Sequence, residues 1–293
     1  MMKTQLKKTV RYLRPRKRPK YPSNYERDYY RILRAVLRRL KTATDDNMPM
    51  LSKTLRRDDD STITDDFVQA ILDELLKTMT LEEALREIEL ILSGVVSVVD
   101  ANIIAAFADT VSVDVFLYDS ALFKTATAEW RRQQERLVNS VIRNYLDRLQ
   151  VIVSNAVQRG TPMLEVQDEI KQALHVSDTS AKRIAMNEVS NLEGIVTMIR
   201  QTDCGIDVYE WSTSKDSRVR PEHAENEGKL FYWHNDKVGE INGVKVHPTP
   251  KYNPGMAINC RCCAIAIIDL AQWNMTMAVP LGEPKAKQNR ELA

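Results

Sequence analysis

Cys260 and Cys262 flank a single residue, a spacing that puts both thiols on one face of an extended chain. Two thiolates, the imidazole of His223 and one further ligand would satisfy tetrahedral zinc, with His247, Asp216 or water in the fourth position. Two separated Cys-x2-Cys pairs, the firmer zinc signature, are not present. The plainer alternative is that these cysteines are small buried hydrophobes in a reducing compartment. Asp216 and His223 share one polar loop, so a second chemistry is conceivable: a metal-dependent nuclease or hydrolase that activates water with Asp216, His223 and the Cys260/Cys262 cluster. Against it stands a loop held simply by Asp216 and Arg218. The sequence shows no glycine-rich phosphate loop and no Ser-His-Asp pattern. Arg183 and Glu188 lie five residues apart, which is not a same-face spacing on a helix, and they read as partners in structural ion pairs rather than as an acid–base couple.

Charge is unevenly spread. Residues 1–41 hold 15 Lys or Arg against two acids, Glu26 and Asp28, in a chain whose overall net charge is only +2. A basic arm therefore precedes an acidic body, which points to a polyanion or an acidic protein as partner. The run Arg14-Pro15-Arg16-Lys17-Arg18-Pro19-Lys20 cannot be helical, because its prolines lack the N–H donor and its charges repel. Residues 1–24 are expected to form an extended arm. Arg14, Arg16, Lys17, Arg18 and Lys20 would meet nucleic-acid phosphates without reading sequence, and Tyr12 and Tyr21 could stack on bases. The alternative is a docking or solubilising tail.

The remaining sequence supplies the elements that must position these groups. Of 293 residues 43% are hydrophobic and only 9 are glycine, which excludes a disordered chain and a glycine-turn-rich sandwich. Helical periodicity predicts a helix over 25–42, a polar linker over 43–63 containing Asp58-Asp59-Asp60, and a helix on Phe67, Ile71, Leu75 and Met79. Separate helices follow from Leu81 and over 94–109, then a long one over 120–158 with Trp130, Leu137, Val141, Tyr145, Leu149, Ile152 and Ala156 inward. Gly160-Thr161-Pro162 ends it. A helix on Val166, Ile170 and Leu174 follows, and Ser177–Ser180 caps another running to about Gln201. No apolar run approaches the roughly 20 residues that span a bilayer; Leu90–Val99, followed by Asp100 and Asn102, reads as a buried helix. No secretory signal is visible at the basic start.

After Cys204 the pattern turns to strands: 208–213, 229–233, a hairpin over 240–246 with Asn242-Gly243 as its turn, and a closing strand 264–268. The fold class is α+β, a mainly helical N-terminal region followed by a small β-rich C-terminal module. The expected divisions are arm 1–24, helical region 25–160, module 161–270 and a loose tail 271–293.

Four segments in this order carry a resemblance: Arg183 with Glu188; Trp211, Asp216, Arg218, Arg220 and His223; Gly228 with Phe231; and Asn259-Cys260-Arg261-Cys262. Together they resemble the phage head morphogenesis family of Mu F-like and SPP1 gp7-like minor head proteins. The resemblance covers about residues 165–268. It implies a non-enzymatic minor virion protein of a tailed phage. Such a protein is made in the host cytoplasm and placed in the head interior or portal region, where it acts in head assembly. Implied partners are the portal protein, the major capsid or scaffold protein and packaged DNA, with no membrane. Many relatives have Val-Cys-x-x-Cys where this chain has Val219 to His223, so the zinc reading rests on His223, Cys260, Cys262 and His247.

Overall fold

The computed structural model describes residues 12–54, 63–78, 81–269 and 278–280. Its helices precede a small sheet, the α+β order expected. The chain forms two compact units. One takes Ser23–Gly94 and Thr127–Val189; the other takes Met1–Pro22, Val95–Ala126 and Ser190–Ala293. Gly160 (φ +63°) does break the chain between helices. The helices on either side of it contribute residues to both units, so packing does not divide there.

The first unit is helical. Helix α1 (Ser23–Thr54) buries Tyr29, Leu33, Val36, Leu37 and Leu40, then continues the same stripe through Ala43, Thr44 and Leu51. The linker expected from residue 43 is thus helical to Thr54, despite Pro49 within it. The Thr44 hydroxyl satisfies itself on the Leu40 carbonyl (2.7 Å) and meets the Tyr145 hydroxyl at 3.1 Å, so a residue that reads as polar linker lies in the core. The Asp58–Asp60 run lies outside the described residues. Helix α2 (Ile63–Thr78) buries Phe67, Ile71 and Leu75 at four-residue steps, and Met79 lies outside the described residues.

Helix α3 (Leu81–Val111) is one helix, not two. By length and composition alone it is long and apolar enough to cross a bilayer, which the interrupted run Leu90–Val99 does not suggest. Its Ile91, Leu92, Val95, Val99, Ile103 and Phe107 are buried, and Asp100 is ion-paired at 2.8 Å to Arg200. Helix α4 (Ala121–Arg159) buries Trp130, Gln134, Val138, Val141, Tyr145, Leu149, Val153 and Ala156. Leu137 and Ile152, expected inward, are half-buried because Val138 and Val153 take the core positions one residue on.

Helix α5 (Met163–Asp203) runs unbroken through the point where a cap was expected. Its buried stripe passes Val166, Ile170, Ala173, Ser177, Ala181, Ala185 and Val189 at three- and four-residue steps. The hydroxyls of Ser177, Thr179 and Ser180 bond back to the carbonyls of Ala173, His175 and Val176, so they end nothing.

The second unit is built on a six-stranded sheet ordered β1-β7-β3-β4-β6-β5, comprising β1 (Tyr12–Leu13), β3 (Val208–Ser212), β4 (Leu230–Tyr232), β5 (Gly239–Ile241), β6 (Val244–His247) and β7 (Cys263–Asp269). β7 lies antiparallel between β1 and β3, β3 is antiparallel to β4, and β4 runs parallel to β6. β5 and β6 form the expected hairpin, with Asn242 (φ +51°) and Gly243 (φ +80°) in the left-handed region that a two-residue turn requires. One face of the sheet packs Tyr209, Trp211, Phe231, Trp233 and Ala264; the other packs Val208, Leu230, Ile241, Val246 and Ile267. A separate pair joins β2 (Val113–Val115) to β8 (Ala278–Pro280), so residues 278–280 of the expected loose tail are paired. The rest of that tail lies outside the described residues.

Candidate metal centre

The C-terminal stretch of α5 fixes the segment that bears the cysteines. Ser190 donates from its hydroxyl to the Gly255 carbonyl (3.0 Å) and to the Cys260 carbonyl. Gly194 admits the same segment: a Cβ there would lie 2.6 Å from the Pro254 carbonyl oxygen. Gly255 answers from the other side, with φ +85° and the Ser190 carbonyl 2.7 Å from its own would-be Cβ. The buried Gln201 amide donates to the Ala264 carbonyl (3.1 Å) and accepts from the Trp233 indole (3.0 Å), tying helix to sheet.

On this base Cys260 and Cys262 lie just before β7, and the short turn α6 (Pro221–Ala224) brings His223 over them. The His223 Nδ1 atom is 3.5 Å from each sulfur. Both cysteines are buried, His223 is half-buried, and all four cysteines of the chain are free thiols. Cys260 is drawn down to about 6, chiefly by the hydrogen bond from the Cys262 thiol, against burial, with help from backbone N–H groups of Cys262 and Gly255 and from His223. Cys262 moves up, first because it holds the shared proton beside Cys260 and then through burial; the Trp211 indole pulls the other way. Trp211 sets its ring edge-on to His223, with centroids 5.4 Å apart, and among the described residues its buried Nε1–H meets no acceptor in hydrogen-bond geometry.

The other expected ligands are elsewhere. Among the described residues the cluster of potential metal ligands contains His223, Cys260 and Cys262 only. His247 stacks on Phe231 (centroids 5.1 Å apart). Asp216 bonds the Arg218 guanidinium at 2.7 Å and its backbone N–H at 2.9 Å, contacts that hold its carboxyl below the usual range. The Asp216–His223 pairing that a hydrolase would need is therefore not brought together, and Asp216 does what the plainer reading gave it. Arg220 ties the His223 turn to the cysteine loop through the Ile258 carbonyl (2.7 Å). Gly228 donates its N–H to the Trp211 carbonyl (2.8 Å), and Asn259 (φ +56°) and half-buried Arg261 alternate with the two cysteines.

Among the described residues neither Arg183 nor Glu188 has the expected ion-pair partner. Arg183 is exposed and its guanidinium reaches the Ser180 hydroxyl at 3.4 Å. Glu188 is buried and accepts from Gln134 (3.0 Å), whose amide oxygen in turn accepts from the Tyr29 hydroxyl. Burial pushes the Glu188 carboxyl up, opposed by the Gln134 hydrogen bond.

The basic arm is extended from residue 12, and it is docked. β1 pairs Tyr12 with Asp269 and Leu13 with Ile268. Arg14 grips Glu210 with two bonds, 2.6 and 2.7 Å. The Arg16 N–H reaches the Asp109 carboxylate (2.8 Å), Asn102 brackets the Lys20 backbone (3.0 and 2.9 Å), and Arg18 points to the Cys263 sulfur (3.9 Å). Of the five cations expected to meet phosphate, Arg14 is thus engaged by an acid, while Arg16, Lys17 and Lys20 are exposed. Residues 1–11 lie outside the described residues.

Sequence reasoning missed Ser190, Gly194, Gln201 and Arg200. Two small residues four apart on a helix are the signal that could have marked Ser190 and Gly194 as a point of close approach. Arg200, 2% exposed, bonds Asp100 (2.8 Å), Asp119 (3.0 Å) and the Tyr118 carbonyl (2.6 Å) and lies 4.0 Å over the Phe123 ring. Nothing in its spacing announces this.

Fold and site define an α+β protein whose C-terminal sheet module carries a Cys2His cluster clamped by a long helix. Residues 147–265 match the family described as Phage Mu protein F like protein. An uncharacterized protein of Haemophilus influenzae (strain ATCC 51907 / DSM 11121 / KW20 / Rd) is 33% identical over 134 residues, 46% of this chain. The matched part spans 28% of that protein's length. No solved structure matches the chain.

Proposed function

We propose that this protein is a minor head protein of a tailed phage, acting in head assembly near the portal. The observation that carries this is the match of residues 147–265 to the Mu F-like family, within which the ordered Trp211–His223, Gly228–Phe231 and Asn259–Cys262 segments build one clamped module. The role is structural rather than catalytic, because Asp216 is committed to Arg218 and does not join the Cys2His cluster. The helical unit docks on the portal or on the major capsid or scaffold protein. The exposed Arg16, Lys17 and Lys20 face packaged DNA or an acidic protein surface. The protein is made in the host cytoplasm and ends in the virion. Mass spectrometry of gradient-purified particles tests this: the protein should be present in proheads or mature heads at a fixed low ratio to the portal protein. Absence from both overturns the proposal.

A further inference from the structure

We propose that His223 Nδ1, Cys260 Sγ and Cys262 Sγ together bind one Zn2+ ion, with a water in the fourth position. This goes beyond the head-assembly reading and stands on separate observations. The first is metric. Tetrahedral zinc with Zn–S of about 2.3 Å and Zn–N of about 2.05 Å places sulfur and nitrogen about 3.6 Å apart. The Nδ1 atom lies 3.5 Å from both sulfurs, the separation of ligands around a common ion. All three ligand atoms lie within 4.8 Å of one another.

The second observation is the Trp211 indole. Among the described residues its buried Nε1–H meets no acceptor in hydrogen-bond geometry, and the neighbour it acts on is the Cys262 thiol. A neutral thiol is a poor acceptor, and leaving a buried donor unpaired is costly. A zinc-bound thiolate would give that N–H a charged acceptor, the arrangement by which outer groups orient metal ligands. The donor set points the same way: two soft thiolates and an imidazole suit zinc and exclude the oxygen-seeking magnesium and calcium.

The site would staple two segments. His223 comes from the α6 turn, and the cysteines come from the loop that Ser190 holds. Both sulfurs bind the metal as thiolates, so protons compete with zinc and its affinity rises with pH. Among the described residues no fourth His, Cys, Asp or Glu joins the group, which leaves water for the last position.

The test uses the full chain, purified without a histidine tag under reducing, anaerobic conditions. Elemental analysis should find one zinc per chain. Apo protein titrated with Co2+ alone should give tetrahedral ligand-field bands and thiolate-to-cobalt charge transfer. His223→Cys should keep the metal and strengthen the charge-transfer band by about half, three thiolates replacing two, whereas His223→Ala should lose tight binding. Trp211→Phe should weaken binding by about 10-fold or more. Cys204→Ser, remote in sequence from the cluster, should change nothing. Folding of each variant is read from its helical circular dichroism. A folded wild type without Co2+ charge transfer overturns the proposal, as does an unchanged spectrum in the folded Cys260→Ser/Cys262→Ser double variant. Should the cysteine variants not fold, the comparison of His223→Cys with wild type decides: equal charge-transfer intensity overturns it.

Discussion

The Pro254 carbonyl oxygen sits 2.6 Å from the point where Gly194 would carry a Cβ. Two effects of opposite sign meet at this glycine. Inside a helix, alanine is better than glycine by about 1 kcal/mol. Here the obstructing atom belongs to backbone, which cannot rotate away, and overpacking of this kind costs about 1–3 kcal/mol. Gly194→Ala should therefore destabilise the protein by up to about 2 kcal/mol net, read as a lower midpoint in thermal or denaturant unfolding. A neutral or stabilising result would show that the cysteine loop is free to shift.

The Glu188 carboxyl predicts a pH effect. Burial raises its native pKa above the ordinary value, so the folded state holds a proton that the unfolded chain releases earlier. The stability that this proton confers is fully present below the ordinary glutamate range and is lost as pH rises through the raised value. Its surroundings, Gln133, Gln134 and the Tyr29 hydroxyl, bring no cation to oppose the shift. Glu188→Gln keeps an acceptor for Gln134 without the charge. It should flatten the stability–pH profile above the ordinary range and stabilise the protein at alkaline pH. Denaturant midpoints measured across pH for both proteins check this, and parallel profiles would contradict it.

Arg200 is a buried cation with two carboxylate partners and a ring beneath it. Removing one member of such a group strands the others. Arg200→Met should cost about 3 kcal/mol, the low end of the usual range, because Asp119 remains 56% exposed and can be hydrated. In Asp100→Asn/Arg200→Met the two losses should not add. Strict additivity in that double-mutant cycle would show that the pair contributes nothing of its own.

The exposed arm cations give a salt prediction. If Arg16, Lys17 and Lys20 meet phosphate, replacing all three with alanine should reduce the slope of log affinity against log salt by about 2.7, roughly 0.9 per lost contact. Arg14→Ala should leave that slope unchanged, because its guanidinium already grips Glu210, and should alter stability by less than about 1 kcal/mol, as exposed pairs do. Salt titrations on duplex DNA separate the two. An unchanged slope in the triple variant would make the arm a protein-docking segment.

Much of the fold was legible because large apolar residues recur at helical or strand period. Phe67, Ile71 and Leu75, and the alternation through Val208–Ser212, are cases where burial writes itself into residue type. The unbroken course of α5 was not legible. Its core stripe passes through Ala173, Ser177, Ala181 and Ala185, which are small enough for close packing and so carry little hydrophobic signal. The continuation of α1 past residue 43 was hidden likewise, by a threonine that satisfies its own hydroxyl within the helix. In the site, His223, Cys260 and Cys262 could be paired from residue chemistry alone. His247 and Asp216 were indistinguishable from ligands until the fold put a phenylalanine beside one and an arginine beside the other. Tyr12 and Leu13 gave no sign of pairing with the far end of the chain, since a two-residue strand has no period.

That pairing sets an order of events during synthesis. β1 leaves the ribosome more than two hundred residues ahead of its partner β7, so the emerging arm must wait without a template. Meanwhile β7, an apolar Cys263–Asp269 strand buried along its length, emerges with one flank served by β3 and the other open. An unpaired apolar edge invites pairing with a neighbouring chain. The returning arm closes it from Tyr12 beside Asp269 to Arg18 at Cys263, and Pro15 and Pro19 keep the arm from presenting a fresh ladder of its own. On a polysome crowded with identical nascent chains, the tethered arm reaches that edge ahead of any neighbour, because its local concentration is fixed by the chain and not by the cell.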